Sequence, residues 1–213
     1  MDPIETFISA QVVCEILQER MQDDPNNVTD GIRRDFVLAS LVTSLDACDA
    51  AEYVNLTKTP GILADEAHVM NMLQYGLTVN NRLNCLTIAD RARAVANHAE
   101  SLVNHMMVAA NKWRRHAMSV NFQIDDVAMR IDPARIHALD ERLTNVDRMH
   151  DDFFARRIRI QDLHNAVVVA YADVGVGALA RRRVFYCSKK GECKPPRSSQ
   201  GGSRKRKSRK THK

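Results

Sequence analysis

Between Leu77 and Val174 the chain has no glycine, and its only proline there is Pro133. The tight turns of a sheet protein need residues that accept positive φ, and glycine is the usual supplier. A stretch this long without one cannot be folded into hairpins, so long helices are the remaining reading. The expected fold class is all-α: a bundle of about five to six helices with a long central helix over 87–118, followed by a disordered basic tail.

Local signals divide the bundle. Asp2 is an N-cap, with Pro3 at the first helical position and Glu5 completing a capping box. That first helix runs to about Gln22 and ends in the turn cluster 23–27. Thr29 or Asp30 caps a second helix to about Thr57, and Thr59-Pro60 opens a third that Gly76 closes. Asp65 and Glu66 then fall near the positive end of the third helix. Thr87, with Asp90 three residues on, opens the fourth. Its apolar stations run from Ile88 through Ala92, Val95, Ala99, Leu102, Met106 and Ala109 to Trp113, in steps of four and three. Ala96, Val103 and Ala110 widen that stripe, which suits the centre of a bundle. Asp132-Pro133 caps a fifth helix carrying Ile136, Leu139, Leu143, Val146 and Phe153, and a sixth spans about Gln161–Ala172.

Charge divides the chain a second time. Of 31 Lys and Arg in 213 residues, 11 lie in 187–213 beside one acid, Glu192, leaving 20 basic and 25 acidic residues in 1–186. The net +5 is therefore an acidic body of −5 and a tail of +10. The cation changes too, from 18 Arg and 2 Lys in the body to 4 Arg and 7 Lys in the tail. Apolar residues nearly vanish after Tyr186, so the tail buries too little surface to offset its ordering entropy. Two units are expected: a helical self-association domain, 1–186, and a disordered tail, 187–213.

A flexible polycation binds polyanions by releasing condensed counterions, with affinity but without reading bases. The candidate nucleic-acid-binding residues are Lys189, Lys190, Lys194, Arg197, Arg204, Lys205, Arg206, Lys207, Arg209, Lys210 and Lys213. Lys189-Lys190, a 13-residue spacer and Arg204–Lys207 also suit a two-part nuclear import signal, which implies an import receptor as partner. Ser198, Ser199, Ser203 and Ser208 lie among these charges. Ser203 and Ser208 are the phosphorylation candidates, since each phosphate removes about 1.5–2 units of positive charge. Phe185-Tyr186 either stacks on bases or anchors the last ordered residues. Lys112, Arg114, Arg115 and His116 read as a basic helix end that complements the dipole, with a second nucleic-acid surface as the alternative. Arg156-Arg157-Ile158-Arg159 reads similarly.

Other constellations carry less. Asp65-x-x-His68 and Asp147-x-x-His150 have the i, i+3 spacing of di-iron bundles, but that motif uses Glu and needs two further Glu from other helices. Cys187 and Cys193 lack the tight spacing and second half-site of a zinc module. Cys14, Cys48 and Cys85 read as buried thiols in a reducing compartment. His98 and His105, seven apart, read as polar-face residues. No phosphate loop or nucleophile elbow is present. Catalytic residues, metal and cofactor are all expected to be absent.

The N-terminus shows no secretory or myristoylation signal, the C-terminus no prenylation box. The longest apolar stretches, 36–45 and 163–172, are about half of what a membrane span needs. A soluble protein of nucleus and cytoplasm, or of a virion, is expected. An acidic helical body with a short Lys/Arg/Ser tail is an organisation shared with viral capsid and nucleocapsid proteins and with nuclear proteins. The leading expectation is a non-enzymatic, self-associating structural protein of the capsid or nucleocapsid type that binds RNA or DNA non-specifically. The alternatives are a nuclear adaptor whose tail is only an import signal and, behind it, a metal-dependent bundle enzyme.

Overall fold

The computed structural model describes residues 2–78, 81–184, 186–187 and 193–194, from residue 173 onward as backbone alone. Among the described residues the fold is all-helical, with four α-helices: α1 (Pro3–Asp23), α2 (Asp30–Tyr75), α3 (Arg82–Phe122) and α4 (Pro133–Val184). Beyond α4 the backbone makes one two-residue antiparallel pairing, Tyr186–Cys187 against Cys193–Lys194. The rest of the expected disordered tail lies outside the described residues.

Several helix ends fall where the caps place them. Asp2 Oδ1 accepts from the Ile4 N–H at 3.0 Å, and Thr29 Oγ1 accepts from the Ile32 N–H at 3.3 Å. Asp132 Oδ1 accepts from the Ala134 N–H at 2.9 Å, ahead of Pro133 in the first turn of α4. Gly76 ends α2 at φ +90°, a conformation only glycine adopts without strain.

Four helices stand where five to six were expected, because two anticipated breaks do not occur. Pro60 lies inside α2. Its ring removes the hydrogen bond to the Leu56 carbonyl, on a side of α2 where both residues are exposed to solvent. The fifth and sixth expected helices are likewise one, since no breaker separates Phe153 from Gln161. The long helix is wider than 87–118. It begins at Arg82, and the Thr87 hydroxyl donates to the Leu83 carbonyl one turn back as an interior residue.

Inter-helix contacts give the topology. Ser44 meets Ala110 and Asp65 meets Arg91, so α2 and α3 run antiparallel. Glu100 meets Arg157 and Asp90 meets His164, so α3 and α4 do the same. Asp49 with Arg142 and Glu66 with Arg159 set α4 parallel to α2. The shorter α1 closes onto the N-terminal half of α2, where Cys14 Sγ sits 3.0 Å from Thr43 Oγ1.

The seam between these helices is made of small residues. Every station on α3 from Cys85 to Ala117, in alternating steps of four and three, is at most 1% exposed, and six of the ten are alanine. Ala92, Ala99, Met106 and Trp113 of the expected line lie on it, as do Ala96, Val103 and Ala110, while Ile88, Val95 and Leu102 are only half-buried. Ser40, Thr43, Ser44, Ala47, Ala50 and Ala51 of α2 are also fully buried. The Ser44 hydroxyl lies 2.9 Å from the Ser40 carbonyl and 3.0 Å from that of Ala110, so its single proton is shared across the helix pair. Small side chains allow this approach of backbones, and Trp113, Phe7, Phe36 and Phe153 are the largest fully buried side chains.

At the end where α2 and α4 begin and α1 and α3 finish, Asn121 fastens the α3–α4 connection. Its buried Oδ1 accepts from the Ile131 N–H at 2.8 Å.

Candidate nucleic-acid interface

Ten of the eleven tail cations, together with Ser203 and Ser208, lie outside the described residues. Lys194 is described as backbone only, opposite Tyr186. Phe185 is likewise outside them. What the structure adds is the state of the body's own charges.

Arginines of the body are tied across helices. Arg91 of α3 holds Asp65 of α2 through two bonds of 2.9 and 2.5 Å. Arg114 of α3 grips both carboxylate oxygens of Asp140 on α4. Arg142 of α4 reaches Asp49 at 2.5 Å and Glu52 at 3.4 Å on α2. Arg157 meets the half-buried Glu100 at 3.1 Å. Arg93 bonds Gln161 at 2.6 Å and Asp90 at 3.0 Å. Arg159 stands 4.0 Å from Glu66, a carboxylate only 5% exposed. A planar guanidinium suits this two-pronged geometry better than an ammonium, which explains why the body uses Arg.

Two explanations drawn from sequence change accordingly. Lys112–His116 sits more than a turn inside α3, which continues to Phe122, so the helix dipole does not account for it. Arg114 is bound to Asp140, Lys112 lies over the Trp113 ring at 4.5 Å, and Arg115 donates to the Asn111 carbonyl. Asp65 and Glu66 likewise belong to the interior of α2, where Arg91 and Arg159 face them.

His116 sits 5.7 Å from Trp113, and its pKa lies below the ordinary 6.5. Burial is the first cause, with the charges of Lys112 and Arg115 adding to it. Cys14, Cys48 and Cys85 are buried thiols, as their apolar faces imply. Burial pushes Cys48 up to about 11, and raises Cys14 and Cys85. None of these is an activated nucleophile. His98 and His105 are exposed, and the His105 ring meets Phe7 edge-on at 6.3 Å.

No three His, Cys, Asp or Glu side chains among the described residues converge as a metal site. Asp65 is held by Arg91, and His68 is exposed. The described grooves are open. One of about 300 Å³ lies between α2 and α4, lined by Leu38, Val42, Leu45, Ala138 and Arg142. Another, of about 310 Å³, contains Arg114, Asp140, Thr144 and Asp147, but the Thr144 hydroxyl donates to the Asp140 carbonyl. No described helix is long and apolar enough to cross a membrane.

One feature escaped the sequence reading. Tyr53, Leu56, Pro60, Leu63, Ala67 and Met70 repeat at steps of three and four along the outer side of α2, all exposed. Their heptad spacing was readable once Pro60 was not taken as a break.

No protein-family model matches this chain, and no curated protein or solved structure does so either.

Proposed function

We propose that this chain is a non-enzymatic, self-associating helical protein that binds RNA or DNA without sequence preference through residues 187–213, in the manner of a viral capsid or nucleocapsid structural protein. The observation that carries the reading is where free cations are. The body has more acids than bases, and its best-placed arginines face carboxylates of neighbouring helices. The tail has 11 bases and one acid. A polyanion approaching the molecule therefore gains most by releasing counterions along the tail.

The test compares the full chain with residues 1–186, whose buried clusters all lie between Phe7 and Val167. Binding of a single-stranded RNA and of a DNA duplex is followed by fluorescence anisotropy across a salt series. With about ten phosphates neutralised, log affinity falls against log salt with slope about −7 on the single strand and about −9 on the duplex. Residues 1–186 lose the binding and the slope. Equal affinity and slope in the two chains would remove the tail from the account.

The two basic clusters of the tail favour a second role in nuclear import. If that is their only role, the full chain binds both probes as weakly as 1–186 does, yet still enters nuclei when fused to a reporter.

A further inference from the structure

We infer that the cleft at the α3–α4 connection is a binding site for a small uncharged molecule with an apolar body and one carbonyl oxygen. The site is separate from the tail and does not depend on the reading above.

The cleft holds about 450 Å³, within the range of pockets that take small molecules. Met118, Phe122, Val127, Ile131, Pro133 and Ile136 supply its apolar walls. Phe122 is 67% exposed and Val127 70%, so large apolar side chains face solvent where a ligand in the cleft covers them. Three contacts brace the connection. Asn121 Oδ1 accepts from the Ile131 N–H at 2.8 Å, and the Arg130 guanidinium donates to the Ile124 carbonyl at 2.9 and 3.1 Å. From α2, Asp30 Oδ2 accepts from the Asp126 N–H at 3.0 Å. The walls are therefore formed before anything binds, which lowers the ordering cost of a ligand.

Asn121 supplies the specific contact. It lines the cleft yet is only 6% exposed. Its Oδ1 is spent on Ile131, and its Nδ2 donates to nothing among the described residues. An amide N–H with so little access to water gains from an acceptor that a ligand brings.

Charge decides the class. Arg130 and Asp132 are the two charged residues of the lining, and they cancel. The C-terminal end of α3 and the N-terminal end of α4 meet here, so their partial charges oppose each other. An anion meets Asp125, Asp126 and Asp132 in the same connection, whereas a cation meets Arg130 and the Asn121 donor. A neutral ketone, ester or amide on an apolar ring or chain escapes both conflicts and satisfies Nδ2.

The experiment titrates the full chain with Prodan, a neutral fluorescent naphthyl ketone, and with dimethylaminonaphthalene, the same rings without the carbonyl. Both are expected to bind one per chain, the ketone about tenfold tighter, the factor that one hydrogen bond supplies. Asn121→Asp keeps the acceptor for Ile131 and removes the donor, so the ketone loses its advantage. Met118→Trp fills the cleft with Asn121 intact and abolishes binding of both probes. Val42→Glu, in the apolar groove between α2 and α4, leaves both unchanged. Far-UV circular dichroism checks the helices; should Asn121→Asp fail to fold, the wild-type preference and Met118→Trp decide. A wild type that binds the two probes equally, or a ketone preference that survives Asn121→Asp, would overturn the Asn121 contact. Loss of binding in Val42→Glu but not in Met118→Trp would overturn the location. A wild type that binds neither probe would overturn the site itself.

Discussion

Arg114 forks onto Asp140, Arg91 onto Asp65, and Arg142 reaches Asp49 and Glu52. Each joins residues 26 or more positions apart, so no periodicity along one helix announces the pairing. Sequence shows that the body uses arginine and the tail lysine; it cannot show what the arginines hold. Several of these pairs are well exposed, and such pairs contribute only about 0–1 kcal/mol each. Their effect is geometric, fixing helix order and withdrawing body cations from an incoming polyanion. His116 yields a residue-scale prediction. Its folded pKa is depressed, so the unfolded chain binds the proton more readily. The neutral imidazole's contribution is present in full above the ordinary value of 6.5 and is lost as pH falls through the lower folded value. Urea titrations at pH 5 and pH 7 are expected to show a smaller stability difference in His116→Asn than in the wild type. An unchanged difference would mean that burial at this site does not act on the proton.

At the scale of elements, the sequence was legible where a side chain or a glycine stops a helix. Asp2, Thr29, Asp132-Pro133 and Gly76 act where their chemistry places them. Legibility failed at Pro60 and at Gln161, where a break was expected and the helix continues. Proline ends a helix when the carbonyl it orphans has nowhere to turn. In α2, packing at the buried Val54, Ile62 and Val69 holds the helix together, and Leu56 and Pro60 lie on the side open to solvent. Tertiary burial outweighs a local cost of about 3 kcal/mol. Replacing Pro60 by Ala restores the N–H without touching the buried face. The variant should gain about 1–3 kcal/mol in a urea titration. A loss of stability would show that proline fixes a bend on which the bundle depends. The α3 seam teaches the same lesson in another form. At Ile88 and Val95 the larger residue is only half-buried, and Ala89 and Ala96 one position on lie at the centre of the interface.

For the molecule as a whole, the functional reading divides labour between an acidic bundle that associates and a basic tail that binds nucleic acid. The tail half of that division rests on composition at 187–213 alone. The self-associating half was legible only as a class, because no sequence pattern names the surface that would carry it. Opposite charges on body and tail add a competitor. At low salt the body's acids are expected to compete for the tail, so the fall of affinity with salt is expected to be shallower there. The most direct measurement is multi-angle light scattering of the full chain and of residues 1–186, each with and without single-stranded RNA at physiological salt. Both proteins are expected to show masses that rise above the monomer with concentration, and only the full chain gains mass from RNA. A truncated chain that captures RNA, or a body that remains monomeric at every concentration, would contradict the division.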